Sequence, residues 1–223
     1  MDSLFIQNLM GGPEERFYYF SVVFTLIVSI VLHELAHGWM AIRLGDDTPI
    51  RLGHMTGNPL IHMGPISLAL VIFMGMGWGM MPIDPTRLRG RRSESLVAVA
   101  GPAMNILLAL IGLTIYQAVF HSSLGAGTPF RFNALHFLWI FGYFNIGLAI
   151  FNLAPVPPLD GSRILGDFSH GFRRMLIDTE PYHIMAFGGY IVVLNGLDQT
   201  GRGLGQLSAH MADHYLNLLG RLF

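Results

Sequence analysis

The chain has 223 residues, of which 52% are apolar and only 12% charged, with a net charge of −1 and no cysteine. A soluble domain carries about 25% charged residues, so this balance excludes an ordinary soluble globule, and near-neutrality excludes the basic footprint of a nucleic-acid binder. The absence of cysteine leaves no disulfide framework and no thiolate chemistry.

The length fits one membrane-embedded domain. Residues 1–16 form a Gly-Pro punctuated interfacial lead-in without the basic start of a cleavable signal peptide, so the first apolar run is expected to stay in the mature protein. Residues 17–42 are long enough to cross a bilayer, which takes about 20 apolar residues. Ser21, Thr25, Ser29, His33 and His37 recur there every fourth residue. This stripe is expected to face other helices or a water-filled pocket, not lipid. For the three hydroxyls the expectation is ordinary helix–helix hydrogen bonding.

That span ends in His33-Glu34-Leu35-Ala36-His37, an H-E-x-x-H motif. Four residues advance a helix by about 400°, so the two imidazoles share one face, one turn apart. Neutral imidazoles at that spacing can bind one zinc ion, with Glu34 placed to take a proton from water. A carboxylate and two imidazoles inside a span are costly, which marks them as functional.

Residues 43–63 carry Gly and Asn-Pro punctuation and read as short strands or a hairpin. Residues 64–81 are apolar and glycine-interrupted, and 82–93 form an Arg-rich loop. Residues 94–120 are a second clear span, broken early by Gly101-Pro102 and holding Asn105. Residues 134–155 are a third, followed by three prolines and Leu159-Asp160-Gly161, where the helix must end. Residues 182–197 are a shorter apolar segment, read as a last span, and 203–223 an amphipathic helix on the membrane surface. The fold class is therefore all-α polytopic, with about four transmembrane helices and a β-hairpin or re-entrant region around a zinc site.

A catalytic zinc usually has three protein ligands and a water. A third histidine six residues past His37 is absent, since that position is Arg43. Asp160 is the most isolated carboxylate beside a span; its other reading is a turn residue of the Pro-Asp-Gly kind. Ligands must share a depth. If Asp160 is one, spans 17–42 and 134–155 run in the same direction, and 64–81 must dip in and return. Arginine counting then places nine residues with segments 43–93 and 161–181 and four on the other side, which puts the site toward the cytoplasm. His210 and His214 are also four apart, on the terminal helix, and read as a solvated polar face.

In their order, His33-Glu34-Leu35-Ala36-His37-Gly38, the Arg51–Pro59 stretch, Gly101-Pro102-Ala103-Met104-Asn105 and Asn152 to Gly161 resemble the site-2 protease family of intramembrane zinc metalloproteases. The likeness covers roughly residues 17–197 and is to the compact bacterial type without a PDZ or CBS domain. It implies one zinc held by His33, His37 and Asp160, with Glu34 as general base. It also implies substrate-binding roles at Asn152, Asn58 and Asn105, and a 51–63 hairpin whose edge receives an unwound substrate. Its implied partners are single-span membrane proteins, in the plasma membrane. Two other classes fit parts of the pattern: an intramembrane metal-ion transporter and a catalytically silent scaffold that captures transmembrane helices. A transporter calls for ligands at several depths, and here they cluster at one. A silent scaffold would be expected to lack Glu34 or a ligand.

Overall fold

The structure is a computed structural model that describes residues 5–200 and 202–221. A 3-10 turn, Phe5–Met10, leads into helix α1, Pro13–Arg43. Then come α2 (Thr48–Arg51), α3 (Pro59–Met74), α4 (Ser93–His121), α5 (Pro129–Asn152), α6 (Asp160–Phe168), α7 (His170–Asp178), α8 (His183–Gln199) and α9 (Leu204–Leu219).

Three helices, α1, α4 and α5, are long and apolar enough to cross a membrane. A fourth span is not confirmed. Helix α8 covers the expected fourth span but has 17 residues and no buried side chain. At 1.5 Å per residue it is about 25 Å long, short of a hydrocarbon core of about 30 Å.

No strand occurs among the described residues, so the expected hairpin over 43–63 is absent. Its punctuation starts helices instead. Thr48-Pro49 and Asn58-Pro59 place proline in the first turn of α2 and α3, where its missing N–H costs nothing and its φ already suits a helix. Asn58 is the N-cap of α3 and accepts from Leu60 N at 3.0 Å.

Helix α3 breaks at Gly64 (φ 66°) and ends at left-handed Gly75 (φ 67°). The chain then returns along α3. Trp78 N donates to Ser67 Oγ at 2.8 Å, and Met80 N to the carbonyl of His62 at 2.9 Å. Segment 59–81 thus goes out and comes back.

Helices α1, α4 and α5 alternate in direction. From residue 33 to 37 on α1, the bonded partners on α4 fall from 105 to 97. From Asn105 to Leu113 on α4, the partners on α5 fall from Asn145 to Gly142. So α1 and α5 run the same way. Val22, Leu26 and Ile30 of α1 form one core with Met63 and Val71 of α3 and Ile140 of α5. The stripe on α1 is buried, but Thr25 Oγ1 and Ser29 Oγ have no hydrogen-bond partner among the described residues, contrary to the helix–helix bonding expected.

Helix α9 does more than lie on a surface. Its Ala212 and Leu216 pack on Leu113 and Ile146, its Tyr215 hydroxyl meets Thr114 Oγ1 at 3.1 Å, and Gln117 donates to the Leu216 carbonyl. Residues 222 and 223 of that expected helix lie outside the described residues, as do residues 1–4 of the lead-in.

Asp46 ties the end of α1 to the returning chain. It is fully buried and accepts from Thr48 N at 3.0 Å and Asp84 N at 2.8 Å. Burial pushes its carboxyl up; the hydrogen bonds from Thr48 and Asp84 outweigh that and hold it below the usual carboxylate range. Its stabilisation is therefore present above the unfolded value of about 3.9 and is lost as pH falls through the folded value. Asp46→Ala, which leaves two part-buried N–H groups without an acceptor, is expected to cost about 1 kcal/mol. Thermal melting in detergent checks this, and the variant is expected to lose less stability than wild type below about pH 4.

Candidate metal centre

His33 and His37 face α4 and the turn after α5. Their Nε2 atoms lie 3.0 Å apart, and Asp160 Oδ2 lies 3.2 Å from one and 3.3 Å from the other. All three residues are buried, at 7, 6 and 9% exposure.

The far nitrogens decide what the near ones can do. His37 Nδ1 is 2.7 Å from the carbonyl of Val97, which only accepts, so Nδ1 carries the proton and donates. His33 Nδ1 is 2.6 Å from Asn105 Oδ1 and donates in the same sense. Both Nε2 atoms are then bare lone pairs aimed at a carboxylate oxygen that has no hydrogen-bond partner among the described residues. Three buried acceptors facing one another are unfavourable unless a cation lies between them. The triangle also has the right size. Ligands about 2.0–2.1 Å from a tetrahedral zinc are about 3.3 Å apart.

Space is kept for such an ion. A Cβ on Gly101 of α4 would lie 2.5 Å from His33 Nε2 and closer still to His37 Nε2. Asp160 is brought in by the local chain. Leu159 N donates to Val156 O at 2.9 Å and Ser162 Oγ to Leu159 O at 2.7 Å. A side chain on Gly161 would overlap the carbonyls of Leu153 and Ala154, so only glycine lets α6 start this close to the end of α5.

Glu34 is buried (7% exposed) beside this triangle. The returning segment passes over it: a Cβ on Gly79 would lie 2.5 Å from Glu34 Cγ and 2.6 Å from Oε1.

Residues 21–195 match the sequence signature of Peptidase family M50. The chain belongs to Peptidase family M50. It is 36% identical over 183 residues to the Bacillus subtilis protein named "Putative zinc metalloprotease YwhC", covering 78% of this chain and 83% of that one. It is 31% identical over 144 residues to "Putative zinc metalloprotease Rip2" of Mycolicibacterium smegmatis, covering 60% of this chain and 52% of the relative. With "Zinc metalloprotease MJ0392" of Methanocaldococcus jannaschii it shares 25% over 148 residues, 66% of this chain and 34% of the relative. No solved structure matches. As an M50 member with three apolar helices, the chain is a membrane protein and a zinc metalloendopeptidase.

The three asparagines read from the M50 sequence sit in different places. Asn105 is fully buried behind His33. Asn152 is half-buried at the end of α5, with Nδ2 bonded to Leu148 O at 2.9 Å. Asn58 is exposed at its N-cap. His210 and His214 stack 6.4 Å apart, and the grouping of His33, His37 and Asp160 is the only metal-type cluster among the described residues. Asn145 on α5 went unread in the sequence, although a lone amide in an apolar span is itself a signal.

Proposed function

We propose that this M50 peptidase cuts peptide bonds in or near the transmembrane segments of single-span membrane proteins, from a site within the bilayer of the plasma membrane. The observation that carries this reading is the position of Glu34 and both imidazoles inside α1, a 31-residue apolar helix. Nine arginines lie in segments 43–93 and 161–181, against Arg16 and Arg131 at the opposite ends of the three apolar helices, which supports a site toward the cytoplasmic side.

Zinc bound by His33, His37 and Asp160 would supply a Lewis acid and a water acidified to about pKa 7. Glu34 takes a proton from the attacking water and delivers it to the leaving amine. Asn152 has a second amide N–H left over from its bond to Leu148, available to the substrate backbone or the oxyanion. Gly101 and the buried wall of α4 keep the rings in place.

A substrate helix must unwind, because its carbonyls are already bonded and shielded. The freed groups need partners at membrane depth. The backbone of Gly79 makes no hydrogen bond among the described residues and lies against Glu34. The returning segment 76–81, in place of a hairpin edge, is where an unwound strand finds such partners.

Quantitative N-terminal peptide mapping of host membranes, wild type against Glu34→Gln, tests this. New termini inside transmembrane segments that vanish in the variant are expected. Variant-sensitive termini confined to soluble domains would overturn the intramembrane reading.

A further inference from the structure

The two imidazoles of the metal centre are oriented by unlike partners. His37 Nδ1 meets a backbone carbonyl, which can only accept. His33 Nδ1 meets a side-chain amide, Asn105, which presents an acceptor or a donor depending on which way it is turned. Turned over, its NH2 would face His33, Nδ1 would have to accept, and the proton would move to Nε2, where the metal binds.

The structure holds a device against that. Asn105 Nδ2 donates to Asn145 Oδ1 at 3.0 Å, and Asn145 Nδ2 donates to the carbonyl of Phe141 at 2.9 Å. Both amides are fully buried, at 0% exposure, so water supplies no alternative partner. The series ends on an acceptor that cannot change sense. Reading back from Phe141, Asn145 must offer its oxygen to Asn105, Asn105 must offer its oxygen to His33, and His33 must keep Nε2 bare. We infer that Asn145 is a positioning residue for zinc: through Asn105 it fixes the tautomer of His33.

This inference rests on His33 being a ligand, which His33→Ala tests separately by its loss of zinc. With that established, Asn145→Leu is the decisive variant. Competition with a chromogenic chelator is expected to show zinc held about 10- to 100-fold more weakly, the range for lost partners of ligating histidines. In metal-free protein with 15N-labelled histidine, the His33 resonances are expected to move from bare Nε2 toward bare Nδ1.

A packing role for Asn145 makes a different forecast, and a second background separates the two. Asn105→Asp offers His33 an acceptor from either oxygen, so the sense of that bond no longer depends on α5. In that background Asn145→Leu is expected to leave zinc affinity unchanged or improved, because it removes the Asn145 oxygen that would face the carboxylate. Equal weakening by Asn145→Leu in both backgrounds would overturn the inference, as would an unchanged His33 tautomer in the single variant. Asn145→Asp keeps the volume and the acceptor for Asn105. It is expected to bind zinc within a few-fold of wild type, and a loss matching that of Asn145→Leu would count equally against it.

Discussion

Glu34→Gln is expected to keep zinc at the wild-type level while kcat/KM for peptide cleavage falls about 10²- to 10⁴-fold, the usual contribution of a positioned general base. Glutamine has the same length and fits the same slot beneath Gly79, where the backbone passes within van der Waals range of the side chain. It cannot take a proton. The triangle of His33, His37 and Asp160 does not include residue 34, so ligand geometry is untouched. Metal analysis and a cleavage assay on the same preparation check both halves. Wild-type cleavage by the variant would remove Glu34 from the reaction.

Gly101→Ala is expected to weaken zinc binding at least about 100-fold, comparable to losing the support of a ligating histidine outright. The added methyl would stand inside contact distance of both Nε2 atoms, the pair that would hold the ion. Either α4 moves away, which breaks the His37–Val97 and His33–Asn105 bonds, or the imidazoles rotate out. Both routes open the triangle. A zinc titration of the folded variant, with circular dichroism to show that helix content is kept, checks this. Wild-type affinity would mean that the metal lies elsewhere.

Much of the site could be read from local spacing. H-E-x-x-H places two imidazoles on one helix face whatever the rest of the chain does. Asp160 stood only as a candidate, on its isolation and the prolines before it, beside a reading as a turn residue. Taking it as a ligand at a shared depth required α1 and α5 to be parallel and 64–81 to turn back; both chain directions occur, with the reversal at Gly75. The hairpin over 43–63 failed for a physical reason. Asn-Pro and Thr-Pro mark a turn before a strand and equally a cap before a helix. Only the apolar residues beyond Pro59, packing as α3 on α1, decide between them. Helix α9 was expected as an amphipathic helix and is one, but its packing on α4 and α5 is a long-range contact that amphipathicity alone does not specify. The resemblance marked Asn105 without naming its neighbours; its side chain points at His33 and its far end at Asn145. Which neighbour an intramembrane amide finds is set by the crossing of α4 and α5, and no single helix carries that information.

The most direct test of the central claim is zinc content and affinity in purified Asp160→Ala against wild type and Glu34→Gln. One zinc per chain is expected in wild type and in Glu34→Gln, with stoichiometric zinc lost from Asp160→Ala together with all cleavage. An Asp160→Ala protein that keeps stoichiometric zinc and cuts at the wild-type rate would contradict a site built from His33, His37 and Asp160.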